Sequence, residues 1–282
     1  PVLAALYPIG MLILQACVAI GLTLLGVMLC AMITPLLGLA ALPLFPLILW
    51  AFKQLDGHLY AYYLMHDYAY SAQSRGAYAP DLEHRMADFA ATIETALNTD
   101  VDEVLVIGHS SGAHLAVSIL ADLLRAGRVP PGASLAFLSL GHVMPMVAFL
   151  PNAHRLRRDL AYLGSCPNIC WVDVTSIADG CTFALCDPVA VTGVAQDDQK
   201  WPLILSAAFQ KTLSPAAWKA LKWRYFSIHF QYLHAFDRPG DYDYFQITAG
   251  PIRLQDRYAH RAPSPNAIRT PVSKYTSVTP WG

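Results

Sequence analysis

"VLVIGHSSGAHLAVSILADLL" runs from Val104 to Leu124. Its first four residues are apolar and mostly β-branched, as in a short buried strand. From about Gly112 the apolar residues recur at helical spacing, and Gly127 and Pro130-Pro131 end the helix near Ala126. Between the two lies Gly108-His109-Ser110-Ser111-Gly112, which fits G-x-S-x-G. In a nucleophile elbow the serine stands at the apex of a sharp strand-to-helix turn, and bulky flanking residues would strike the neighbouring backbone. The helix after the turn points its N–H groups and dipole at the site where an oxyanion would form. Ser110 is therefore the candidate nucleophile. Ser111, one place past the apex, is better placed to offer its backbone N–H to an oxyanion than to attack.

Outward from this corner the pattern continues. "ASLAFLSLG" and "NICWVDVTS" read as buried strands, and residues 81–97 ahead of the corner read as an amphipathic helix. "PLILSAAFQKTL" fits strand or helix. "PAAWKALKW" reads as a helix capped by Ser214 with Pro215 in its first turn. "RYFSI" reads as a short strand ending at His229, and "FQYLHAF" as helix. Strands alternating with helices imply an α/β domain with a mainly parallel sheet. "DRPGDYDYF" suggests a turn and a short edge strand; its Asp237, Asp241 and Asp243 lack the spacing of an EF-hand loop.

The chain has 282 residues, net charge −1 and only 14% charged residues. It has no basic patch for nucleic acid. Pro1 to Phe52 carry no charge, room for two spans, near 9–33 and 36–52. Thr34-Pro35 makes the turn between them, and Pro43 and Pro46 kink the second. The alternative is a hairpin buried in a soluble core. An aromatic-rich helix over residues 53–73 would lie near the membrane surface. The domain division is 1–53 for the hairpin, 54–261 for the α/β domain and 262–282 for an extended tail over the surface.

The six cysteines read as free thiols in a reducing compartment. Cys166, Cys170, Cys181 and Cys186 lack the paired knuckles of a zinc site, so neither metal nor cofactor is expected. With Lys53 just after the second span, this places the domain on the cytoplasmic face of its membrane.

A serine nucleophile needs a base, and the base needs an acid to orient it. In this architecture acid and histidine follow the serine on loops after later strands. His229 is the leading base, with His234 as runner-up. Asp179, in the loop after "WVDV", is the leading acid, and Asp187, before Pro188, the runner-up. Asp173 lies within the strand and points along the sheet.

The strand, elbow and helix over 104–124, with "VDVTSIADGCTF", resemble the α/β-hydrolase superfamily of serine hydrolases. "HSSGAHLAVSILADLLRAGRVP", "CDPVAVTG" and "HFQYLHAFDRPGDYDYFQITAGP" resemble a group of bacterial membrane-associated α/β hydrolases, from the hairpin to about Arg261. The resemblance implies cleavage of an ester, thioester or amide through an acyl-enzyme. An esterase or lipase acting on an acyl ester, at the bacterial inner membrane and in contact with the lipid bilayer, is the leading expectation. A scaffold that has lost its chemistry and an acyltransferase using the same triad are the alternatives. One departure stands out. Such folds build strands before the nucleophile strand, and one of their loops donates a second oxyanion N–H, whereas only the hairpin and helices precede Val104 here. The chain begins with Pro1 rather than Met, so the expectation is a sheet incomplete at its N-terminal side, with the hairpin as an insertion. Losing one oxyanion donor costs roughly 10²–10³ in rate.

Overall fold

A computed structural model describes residues 2–280, and they form two compact units that divide between Tyr70 and Ser71. The expected boundary at 53/54 therefore moves, and the aromatic segment after Lys53 groups mostly with the first unit.

In the first unit, α1 (Val2–Ala31) is followed by α2 (Pro35–Leu39) and α3 (Leu44–Gln54). Thr34 makes the turn by accepting the Leu37 N–H on its hydroxyl, with Pro35 at the first helical position. The second apolar stretch is broken between α2 and α3 around Pro43, as the prolines lead one to expect. Leu6–Ala31 and Pro35–Gln54 are each long and apolar enough to cross a membrane. Ile13, Leu24, Met28, Leu36 and Leu39 are exposed, which a hairpin buried in a soluble core would not leave outside. α4 (Asp56–Leu59) and α5 (Ala61–Gln73) follow, interrupted by Tyr60 in the left-handed region. The aromatic helix expected over residues 53–73 is thus two helices. The Asp56 carboxylate accepts the backbone N–H groups of Tyr62 and Tyr63 at the break.

The second unit is a three-layer α/β structure. Its sheet has four parallel strands in sequential order: β1 (Val104–His109), β2 (Leu135–Leu140), β3 (Cys170–Thr175) and β4 (Leu203–Ser206). β2 and β3 are fully buried, because parallel sheets are covered on both faces. Side chains alternate between the two layers. Leu135, Phe137 and Trp171 pack with α7 (Gly112–Arg125), α8 (Met144–Ala148), α9 (His154–Ser165) and α10 (Pro188–Thr192). Leu138, Leu140, Val172, Val174 and Leu205 pack on the other face. That face is covered by residues of α11 (Phe209–Thr212), α12 (Pro215–Leu221), α13 (Tyr225–Phe230), α14 (Tyr244–Thr248) and α15 (Leu254–Arg257). α6 (Pro80–Leu97) lays Met86 and Ala90 against Ile119 and Leu123 of α7. Helices, not strands, occupy residues 2–97, and β1 is an edge strand with Val104 to Ile107 half-buried.

Three local expectations need correction. "RYFSI" is not a strand: residues 225–230 form α13, so His229 stands on a helix. An amphipathic one-turn segment buries Ile228 and His229 against the sheet, and this tertiary contact overrides its β-branched and aromatic composition. The edge strand expected in "DRPGDYDYF" is instead the start of α14, because Asp243 caps it through the Gln246 N–H. Of the tail expected over 262–282, the described residues 262–280 are extended but bound to the domain. Ser264 N–H donates to Ile204 O, Asp187 N–H to Ile268 O, and the buried Arg157 guanidinium to Ser277 O at 2.6 Å.

Candidate functional site

The corner after β1 has the geometry of an elbow. Ser110 sits at φ 55°, the left-handed region, where an ordinary side chain costs about 1–2 kcal/mol. Its backbone N–H is held by Leu140 O at 3.0 Å, and its carbonyl accepts Ala113 N–H at 3.1 Å. The two glycines are not equivalent. A Cβ on Gly108 would lie 2.7 Å from Ala113 Cα and 3.0 Å from Gly112 O, so strand and helix approach too closely for any other residue. A Cβ on Gly112 would meet nothing within 4 Å, so the expected clash exists on one side only. Ser111 takes the N-cap position of α7 in helical backbone geometry, where the first N–H groups of the helix converge.

The loop after β3 holds Asp179, 2% exposed. Its Oδ2 lies 2.8 Å from His229 Nδ1 and accepts the Tyr232 hydroxyl at 3.1 Å. Its Oδ1 accepts the Cys181 backbone N–H at 2.9 Å. The carboxylate is thus fixed from three sides, and a charge so buried requires such partners. With Asp179 ionised, His229 carries its proton on Nδ1 and turns Nε2 into an acceptor. The imidazole packs against the ring of His109, the residue before Ser110, with centroids 4.6 Å apart. His109 Nε2 in turn meets the His229 carbonyl at 2.8 Å. Gly141, just past Leu140, completes the floor. It has φ 52°, and a Cβ there would be 2.7 Å from the Tyr232 ring and 3.3 Å from His229 Cε1.

Electrostatics sort the neighbours. Burial, then the nearby His229, lower the His109 pKa to about 4, so it is neutral near pH 7. Burial raises the Tyr232 phenol well above its ordinary value, keeping it a donor. Burial likewise pushes the Cys181 thiol up to about 12.

The runners-up have other duties. Asp187 caps α10, its Oδ1 accepting Val189 and Ala190 N–H at 3.0 and 3.1 Å, and its Oδ2 meets Gln199 and Arg269. His234 is exposed, and its Nδ1 lies 2.8 Å from Phe230 O. Asp173 accepts the Ser139 hydroxyl inside the sheet layer, and burial raises its pKa well above the usual carboxylate range. Of Asp237, Asp241 and Asp243, the first accepts Ser214 N–H, the second pairs with Arg261 and the third caps α14. All six cysteines are free thiols. Tyr232, Cys181 and His109 surround the couple without having stood out as site residues in the sequence. The i,i+3 spacing of His229 and Tyr232 would have signalled the phenol had the segment been read as helix.

In comparisons with known proteins, no family model, no curated protein and no solved structure matches this chain.

Proposed function

We propose that this chain is a membrane-anchored serine hydrolase of α/β-hydrolase type, cleaving a carboxylic ester through an acyl-enzyme on Ser110. The observation that carries the reading is the pairing of a strained serine corner with a buried Asp179–His229 couple beside it. In this reading His229 Nε2 takes the proton of the Ser110 hydroxyl as its oxygen attacks the ester carbonyl. The imidazolium then returns the proton to the leaving alkoxide as the carbon–oxygen bond breaks. Water repeats the sequence on the acyl-enzyme to release the acid. Asp179 sets the tautomer and stabilises the imidazolium, and the Ser111 N–H at the head of α7 faces the developing oxyanion. The apolar hairpin would hold the domain at a bilayer, which favours acyl esters of lipidic character.

Detergent-solubilised protein is treated with a fluorophosphonate, with Ser110→Ala and His229→Ala beside it. Labelling that disappears in both variants supports the reading. Labelling that persists in Ser110→Ala assigns the nucleophile elsewhere, and an unlabelled native chain favours the scaffold alternative.

A further inference from the structure

Asp179, Cys181 and His229 each bring one metal-ligand atom into a single buried spot, and these atoms all lie within 4.8 Å of one another. A tetrahedral ion with bonds of about 2.0–2.3 Å needs its ligand atoms roughly 3.3–3.8 Å apart. The Asp179–His229 contact at 2.8 Å must open by about half an ångström, and a pair at the 4.8 Å bound must close by about one, to reach that range.

We infer that Asp179, Cys181 and His229 form a site for a thiophilic divalent cation, zinc being the natural type, which holds the protein in an inactive state. The ligand set is a carboxylate, a thiolate and an imidazole, matching zinc chemistry. Charge favours it as well. A dication with one carboxylate and one thiolate is neutral overall, which a site so deeply buried requires. The surroundings already orient the ligands. Cys181 N–H fixes the carboxylate through Oδ1, and Tyr232 donates to Oδ2. The Tyr225 ring lies over Gly180, next to Cys181, with its hydroxyl 3.6 Å from where a Gly180 Cβ would stand, and a water completes the fourth position. Ile177, two residues ahead of Asp179, is 74% exposed, so the loop that carries the site reaches the surface.

The proton balance is simple. The Cys181 thiol releases its proton to solvent as the sulfur–metal bond forms. The metal displaces the proton from His229 Nδ1, and the neutral imidazole carries it on Nε2 instead. An imidazole protonated at Nε2 cannot accept the Ser110 proton. The inhibitory consequence rests on the proposed hydrolase reading; the metal site does not.

The test uses Co²⁺ as a spectroscopic stand-in for zinc on the reduced 282-residue chain in detergent. The expected result is one bound equivalent, with the visible bands of a tetrahedral site and a near-ultraviolet sulfur-to-cobalt charge-transfer band. That band vanishes in Cys181→Ser and persists in Cys186→Ser. Because loss of even an outer-shell partner weakens metal sites about 10–100-fold, Cys181→Ser should bind zinc more than about 100-fold more weakly. Far-UV circular dichroism checks that each variant is folded, and His229→Ala serves as a second ligand deletion should Cys181→Ser fail that check. A native protein without the charge-transfer band, or a band that survives in folded Cys181→Ser, overturns the site. Failure of fluorophosphonate labelling in metal-free protein would sink the hydrolase reading and leave the cobalt spectrum unaffected.

Discussion

Replacing Asp179 by Asn changes the proton pattern around His229 with little change of shape. The carboxylate now takes three hydrogen bonds: His229 Nδ1 at 2.8 Å, the Tyr232 hydroxyl at 3.1 Å and Cys181 N–H at 2.9 Å. An amide has one acceptor atom. If its oxygen keeps Cys181 N–H, its NH₂ faces His229 and Tyr232. The phenol can turn and accept, but His229 must then accept at Nδ1 and carry its proton on Nε2. On the proposed hydrolase reading the base is lost through the tautomer, with every ring in place. In a studied protease the corresponding change lowers the rate about 10⁴-fold, equivalent to roughly 5 kcal/mol of transition-state stabilisation. Two assays read it. The rate of fluorophosphonate labelling at Ser110 should fall by about 10³–10⁴. Independently, the ring-nitrogen NMR signals of His229 should exchange their protonated and unprotonated assignments. Asp187→Asn is the control: asparagine caps a helix about as well as aspartate, so labelling should stay within about threefold and stability should change by less than roughly 1 kcal/mol. Native-like labelling in Asp179→Asn, or a collapse of labelling in a folded Asp187→Asn, would refute the assignment of the acid.

Three further outcomes follow from the packing. Gly108→Ala forces a methyl to within 2.7 Å of Ala113 Cα, and Gly141→Ala to within 2.7 Å of the Tyr232 ring. Each should cost about 1–3 kcal/mol in a thermal melt and slow labelling, whereas Gly112→Ala, with open space, should be the mildest in stability. His114 and His142 are buried with pKa values lowered to about 4 from an ordinary 6.5, burial being the main cause in both. Between those values the unfolded chain binds protons that the folded histidines do not. Stability present above pH 6.5 is therefore lost as pH falls toward 4, by up to about 1.4 kcal/mol per unit per histidine. Denaturation curves at pH 7, 5.5 and 4.5 should show this, and His114→Leu should flatten the slope by one proton. The hairpin predicts that the protein stays in the membrane pellet after alkaline carbonate washing, and release of the intact chain would count against membrane spanning.

Much was legible in the sequence because it is set over short distances. The uncharged stretch to Phe52 marks two apolar segments by composition alone. The Val104–Leu124 run encodes strand, corner and helix within one local pattern, and Ser110 duly occupies the left-handed region. Ser214 caps its helix where the Ser-Pro pair indicates. Tertiary structure alone decided which distant residues meet. Asp179 and Asp187 carry the same carboxyl group on the same connection, yet only the first reaches a histidine, because Asp187 is spent on the first turn of α10. His229 lies on a helix that burial imposes on a β-prone segment, and the 3-10 turn that follows it, Gln231–Leu233, brings Tyr232 to the same carboxylate. Cys181 joins them through a turn of the loop. Local propensity acts over a few residues and can be read along the chain, whereas a site assembled across a sheet depends on layers that exist only once the core has packed.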